Sequence, residues 1–411
     1  MPIRVLLLNS DLAANRGDRA IAEGLIQLVR STDPSARITG ISQFPDRDRV
    51  WYGIDFLDMD FQSLHPRDLL TIVRAARSHD MVLWGGGELL KDYTNKAALW
   101  YWVLKMLIVT AVNPHVIGAY QGIGPTRSAI SKKLIALVVR RTRLFIVRDG
   151  ESRAKLLAWG VPDGKVVAAS DPAVLPEPEP MSDALRTKLA TDYDLDPSFF
   201  DNMVCIGPRD WFHYTQSGVL PFKYRRRVAA WLRRPPPEED PRHQQYMSSL
   251  SSVVSDIATT MNVNIMVLPM HMDESDAVLA HRLADVARPH TTVCVLDRDD
   301  LGPDQVRSVV SSARAMVGFR LHSNIIGISS AVPSVNVYYV DKGRVFFDQI
   351  GMSAFALPIE DALEPGFSDT VVRLLTDLID RRETVRDELR AATAGLRREV
   401  EAAYAKARHV S

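Results

Sequence analysis

The chain has 411 residues, and hydrophobic cores stop growing near roughly 250–300 residues, so two domains are expected. Its 50 basic and 50 acidic side chains cancel, which excludes a global field drawing it to nucleic acid or anionic lipid; an anion must be held locally. Only Cys205 and Cys294 occur, both in apolar runs, which excludes a disulfide framework and suits reduced core thiols in a cytoplasmic protein.

The opening stretch MPIRVLLLNSD has one arginine and a short apolar run without a cleavage pattern, so it reads as a first strand and not a signal peptide. Residues 3–10, 36–42, 80–87, 115–125, 144–149 and 165–171 follow as β-strands. Between them, stretches such as RAIAEGLIQLVR and ESRAKLLAWG carry apolar residues at helical spacing. Near-continuous apolar strands alternating with helices imply a parallel sheet covered on both faces, here over 1–175. The longest apolar run, Leu99 to Val112, is too short to span a bilayer and contains Lys105, so it reads as a buried helix or one that touches a membrane surface.

A proline- and acid-rich stretch, PAVLPEPEPMSD, opens a linker over 176–200. The alternation restarts with strands at 202–211, 264–271, 291–297, 313–320 and 334–341, giving a second α/β domain over 201–360. Open sheets of this kind bind ligands beyond the carboxyl ends of their strands, which makes the cleft between the domains the expected site. Residues 212–243 break the pattern, with basic residues interleaved among Phe222, Tyr224 and Trp231; they read equally as an acceptor-binding lid or as a solvated insertion. From 361 to 411 the chain reads as C-terminal helices with charge pairs on a solvated face.

The strand ends carry the candidate site. In NSDLAANRGDRAI, Asn15, Gly17 and Asp18 stand between strand and helix, suited to capping or to a close approach by a ligand. WGGGELLKD places Gly85, Gly86 and Gly87 at another strand end, and GAYQGIGP adds Gln121, Gly122 and Gly124. Neither follows the dinucleotide or P-loop spacing, so no nucleotide cofactor is read. Arg148, before Asp149, either pairs with an acid or aims its fork at a carboxylate or phosphate. In GFRLHSNIIGISS, Arg320 and His322 open a short helix, a cation and a proton donor at a positive helix end. No cluster has metal-ligand spacing; His271 and Asp273 are too isolated.

NRGDRAI, WGGGELLKD, GAYQGIGP, VRDGES, ASDPAVL, GPRDW and GFRLHSNIIGISSAVPSVNVYYVDKG together resemble, in order and spacing, the polysaccharide pyruvyl transferase family, from about residue 3 to about 345. The resemblance implies two tandem Rossmann-like domains of GT-B-like architecture and transfer of pyruvate from phosphoenolpyruvate onto two sugar hydroxyls as a cyclic ketal. Phosphoenolpyruvate would be the donor substrate, with no cofactor and no metal. The acceptor would be a sugar in a polysaccharide or a lipid-linked saccharide, the protein cytoplasmic, with peripheral membrane contact left open by such an acceptor.

The implied chemistry puts His322 as general acid with Arg320 beside it. Arg148, Arg209 and Lys342 of VYYVDKG are the expected grip on the donor's carboxylate and phosphate, along with the Asn15, Gly17, Asp18, Gly85, Gly86, Gly87 and Gln121 edge. Protonation of the imidazole is then coupled to donor binding. Two alternatives remain at this point. One is a nucleotide-sugar glycosyltransferase of the same architecture, with Asp273, Asp297 or Asp341 on a ribose; the other is a non-catalytic binding or assembly module.

Overall fold

A computed structural model describes residues 2–9, 11–63, 65–93, 96–212, 240–272 and 274–409. Most of the 212–243 stretch, including Phe222, Tyr224 and Trp231, lies outside the described residues, as does Asp273. The chain forms two compact units, one containing Met1–Leu175 and Leu396–Ser411, the other containing Pro176–Thr215 and Pro237–Gly395.

In the first unit the strands are β1 (Arg4–Leu8), β2 (Arg37–Ser42), β3 (Asp55–Asp58), β4 (Met81–Gly85), β5 (Val116–Gln121), β6 (Leu144–Val147) and β7 (Val166–Ala168). They build a parallel sheet in the order β3-β2-β1-β4-β5-β6-β7. Every residue of β4 and β5 is buried, because helices cover both faces and each side of the pleat needs an apolar side chain. Helix Arg16–Thr32 is the first of these covers. Its Leu25, Ile26, Leu28 and Val29 face the sheet.

The second unit repeats the plan with β8 (Met203–Gly207), β9 (Asn264–Val267), β10 (Val293–Val295), β11 (Ala315–Gly318), β12 (Ser334–Tyr338) and β13 (Ala356–Pro358). Their order is β10-β9-β8-β11-β12-β13, also parallel. Each sheet therefore reverses its winding once, between β1 and β4 in the first unit and between β8 and β11 in the second. Such a switch point leaves a crevice at the carboxyl ends of the two central strands. Cys205 on β8 and Cys294 on β10 are free and buried, and burial pushes the Cys205 thiol up to about 12.

Two elements differ from the sequence reading. Edge strands β3 and β13 were not expected, since DFLD is half acidic and ALP ends in proline; an edge strand tolerates both because one side of it has no ladder to complete. Within the stretch read as a linker, 176–182 and 193–196 lack a regular element, and helix Asp183–Asp192 stands between them with Ser182 as its N-cap.

The C-terminal helices are Phe367–Asp380 and Arg382–His409. The second is charged, as its sequence suggests, yet Val385, Leu389, Leu396, Val400, Ala403, Tyr404 and Ala407 form a buried stripe. From Leu396 it belongs to the first unit, where Tyr120 Oη donates to Val400 O at 2.6 Å and Arg397 Nε donates to Val174 O at 2.9 Å. Tyr120 has φ of 57° at an irregularity in β5, so the backbone leaves the ladder there to send the ring toward this helix.

Candidate functional site

In the first unit the glycine-rich turn after β4 is filled by the protein itself. Gly86 and Gly87 have φ of 104° and 49°, a backbone that side chains disfavour, and both are buried. A Cβ on Gly85 would lie 2.6 Å from Leu25 Cδ1, so the turn closes against helix Arg16–Thr32. Asp92, at the end of the same motif, accepts from the backbone N–H groups of Arg127 and Ser128 at 2.9 Å each and fixes the entry to helix Ala129–Arg141.

Arg148 follows β6 and is 4% exposed. Its Nη1 donates to Asp171 Oδ2 at 3.3 Å and its Nη2 to Glu88 Oε2 at 3.4 Å. Burial works against this charge, but Asp171, Glu88 and Asp149 outweigh it and raise the guanidinium's pKa. The guanidinium lies flat against Gly122, where a Cβ would come within 2.5 Å of Nη2. The acid next to it in sequence, Asp149, is instead the N-cap of helix Gly150–Ala158, accepting from Ser152 N at 2.6 Å.

The other candidates of this unit also have partners within it. Gln121 is fully buried and donates to Trp84 O at 2.8 Å, so its amide braces β4 against β5. Asn15 caps helix Arg16–Thr32, accepting from Gly17 N at 2.9 Å and Asp18 N at 3.4 Å and donating to Asp18 Oδ2 at 3.1 Å. Gly85, Gly86 and Gly87 serve close packing, and Arg148 is held by carboxylates of its own unit.

The second unit differs. Arg209 follows β8 and Arg320 follows β11, the two strands that flank its switch point. Arg320 Nε donates to Asp276 Oδ2 at 2.7 Å, its Nη2 lies 2.6 Å from the same oxygen, and Arg209 Nη1 lies 3.6 Å from Asp276 Oδ1. Asp276, in the first turn of helix Glu274–Ala287, is completely buried, while both arginine side chains remain 14% exposed. Burial and the neighbouring charge of Arg209 both lower the Arg320 pKa, and Asp276 opposes them only in part. Two guanidinium charges thus meet at the Asp276 carboxylate, and an anion at their open side would add to its compensation of their repulsion.

Aromatic faces and a lysine extend this cationic patch. The rings of Trp211 and Tyr339 are 4.5 Å apart; the Arg209 guanidinium stands 5.6 Å and the Lys342 Nζ 5.8 Å from the Tyr339 ring centre. Tyr246 Oη donates to Arg209 O at 2.6 Å, and His243 pairs with Asp210 at 2.8 Å, so the turn after β8 is fixed from both sides. His322 lies in the first turn of helix Leu321–Ser329, partly exposed, two residues from Arg320.

The start of that helix is locked by backbone and amide bonds. Ser323 Oγ donates to Arg320 O at 2.6 Å, and Asn324 Nδ2 donates to Gly318 O and to Asn336 Oδ1, each at 3.0 Å. Gly318 is required there, because a Cβ would strike the Asn324 amide at 2.4 Å.

Of the sequence candidates, Arg209, Arg320, His322 and Lys342 fall in the second unit; Asn15, Gly17, Asp18, Gly85, Gly86, Gly87, Gln121 and Arg148 fall in the first. Asp297 pairs with His281 at 2.7 Å, and Asp341 opens helix Asp341–Gln349. Sequence reasoning missed Asp276, Glu88 and Asp171 as counter-charges, and the Trp211–Tyr339 pair. Glu88, Asp171 and both aromatics stand inside the motifs already singled out; Asp276 does not.

Among solved structures the chain is similar in fold to a glycosyltransferase from Rickettsia africae, at 10% identity over 100% of both chains with a TM-score of 0.59. It is also similar to Anabaena HepE in complex with UDP-glucose, at 12% identity over 99% of this chain and 98% of that one with a TM-score of 0.56. A UDP-GlcNAc 2-epimerase from Neisseria meningitidis matches at 10% identity over 98% and 99% with a TM-score of 0.54. These likenesses set the fold class as tandem Rossmann-like α/β with GT-B-like architecture. No curated protein matches the chain in sequence. The family profile for polysaccharide pyruvyl transferase matches residues 15–341, from the asparagine that caps the first helix to the aspartate beside Lys342, and the chain therefore belongs to the polysaccharide pyruvyl transferase family of transferases.

Proposed function

We propose that the protein transfers pyruvate from phosphoenolpyruvate onto two hydroxyls of a sugar in a polysaccharide or lipid-linked saccharide, forming a cyclic ketal and releasing phosphate. The observation that carries this reading is the meeting of Arg209 and Arg320 at the buried carboxylate of Asp276, at the switch point of the second sheet. Phosphoenolpyruvate brings a carboxylate and a phosphate, and arginine forks bind both groups in pairs of parallel hydrogen bonds.

In this reading Arg209, Arg320 and Lys342 bind the donor, and His322 as imidazolium gives its proton to the methylene carbon, which becomes a methyl group. C2, now electron-poor, accepts a first sugar hydroxyl, whose proton returns to the imidazole. The second hydroxyl attacks the same carbon, the C2–O bond to phosphate breaks, and the departing phosphate takes the second proton. One hydroxyl proton thus ends on the methyl carbon and the other on phosphate. Trp211 and Tyr339 supply apolar faces on which a sugar ring can stack.

The test is incubation with phosphoenolpyruvate and a pool of bacterial glycans and glycolipids, following phosphate release and the mass of the pyruvylated product. Phosphate release that depends on the glycan supports the reading. Stabilisation by UDP-sugars in a thermal-shift screen, with no phosphate from phosphoenolpyruvate, would replace it with nucleotide-sugar transfer.

A further inference from the structure

The balanced net charge hides a local imbalance. Between Tyr93 and Arg148 the chain carries eight lysines and arginines and not one aspartate or glutamate. Two helices of the first unit fall in this stretch, Lys96–Val112 and Ala129–Arg141, and they pack together, with Trp100 Nε1 donating to Ser131 Oγ at 3.1 Å.

Helix Lys96–Val112 buries Leu99, Val103, Met106 and Val109. A helix on the surface of a water-soluble unit normally turns charged residues outward. This one does the reverse. Its single mid-helix cation, Lys105, is 1% exposed and points inward, donating to Phe61 O and to Ser63 O. The outward side is left to Trp100 and Leu104, 40% and 56% exposed, one helical turn apart.

The neighbouring helix continues the pattern. Ile130 and Leu137 are 58% and 39% exposed, and at spacings of three and four residues they alternate with the exposed Lys133 and Arg141 along one stripe. Exposed Lys96 and Arg127 stand at the N-terminal ends of the pair. No helix among the described residues is long and apolar enough to cross a membrane. Apolar side chains set among basic ones, with no acid in either helix, match a surface whose interior is hydrocarbon and whose headgroups are anionic.

We propose that helices Lys96–Val112 and Ala129–Arg141 form a docking face for the surface of an anionic phospholipid bilayer, with Trp100, Leu104, Ile130 and Leu137 entering the headgroup boundary and Lys96, Arg127, Lys133 and Arg141 pairing with lipid phosphates. The face is made entirely of first-unit residues, so the proposal stands apart from the chemistry proposed for the second unit.

The test is co-sedimentation of the full chain with vesicles of equimolar phosphatidylglycerol and phosphatidylcholine, against vesicles of phosphatidylcholine alone. The wild type is expected to sediment with the first, at least about tenfold more than with the second, and to be released by salt. Lys96→Glu with Lys133→Glu is expected to cut that partitioning at least about tenfold, because each basic residue removed near an anionic surface costs several-fold. Leu104→Gln with Leu137→Gln should cut it at any salt concentration, and a thermal melt checks that both variants fold. If the leucine variant does not fold, the lysine variant and the salt series decide alone. Wild type left in the supernatant with anionic vesicles overturns the proposal. So does sedimentation that both variants retain. A wild-type dimer on sizing that the leucine variant dissociates, without vesicle binding, assigns the face to a second copy of the chain and likewise overturns it.

Discussion

Asp276 sits between Arg209 and Arg320, its Oδ2 2.6 Å from Arg320 Nη2 and its Oδ1 3.6 Å from Arg209 Nη1. This carboxylate is what allows two guanidiniums to stand at one strand-end crevice without pushing each other apart. Replacing it with asparagine keeps its volume and removes its charge. Asp276→Asn is expected to lower unfolding free energy by about 3 kcal/mol, the low end for breaking a buried ion pair because both arginines keep some contact with water. Denaturant melts measure that loss. A change within error of zero would mean that water already neutralises the pair.

His322→Ala is expected to reduce phosphate release from phosphoenolpyruvate by at least about a hundredfold, the range for a lost general acid, with little change in melting temperature because the residue is only partly buried. Steady-state rates on a folded variant decide it; near wild-type turnover removes the acid role from this residue.

Arg320→Lys tests the shape of the grip and not its charge. A lysine keeps the cation but loses the planar fork and the two close approaches to Asp276, so the apparent KM for phosphoenolpyruvate should rise by about tenfold or more. An unchanged KM would count against donor binding at this arginine.

Gly122→Ala probes the first unit, because the new Cβ would meet the Arg148 guanidinium at 2.5 Å and that group has carboxylates behind it. Overpacking of this kind costs about 1–3 kcal/mol, read as a lower melting temperature. Activity in the surviving folded fraction reports whether Arg148 matters beyond its own unit.

Lys105 gives a pH signature. Burial pushes its ammonium down to about 8 from an ordinary 10.5, with Asp60 and Asp68 opposing the shift. Above pH 8 the folded chain has shed a proton that the unfolded chain still holds, so stability from this group rises with pH between about 8 and 10.5. Wild type should therefore gain on Lys105→Met when denaturant melts at pH 7.5 are compared with melts near pH 10. A constant difference would mean that the folded ammonium titrates normally.

Much of the fold was legible because both sheets are parallel and doubly covered, so each interior strand announces itself as an apolar run such as VLLL of β1 or MVLWG of β4. The short edge strands β3 and β13 carry no such run. The candidate site was legible where an unusual pair coincided with a strand end, as at Arg320 and His322. At Gly85 and Gln121 the strand-end glycines and polar residues pack against their own unit, a role whose local pattern is the same as that of a ligand contact. Asp276 was invisible because an acid in the first turn of a helix reads as ordinary dipole complementation, and its partners lie 67 residues before and 44 after it in the chain (276 − 209 and 320 − 276). Local patterns do not encode such meetings.

The last helix has a bearing on how the molecule is made. Its final turns complete the first unit, with Val400 receiving the Tyr120 hydroxyl and Arg397 reaching Val174. During synthesis, then, the first sheet waits for a segment made 280 residues after Tyr120, and emergence of that segment from the ribosome sets when this half can close.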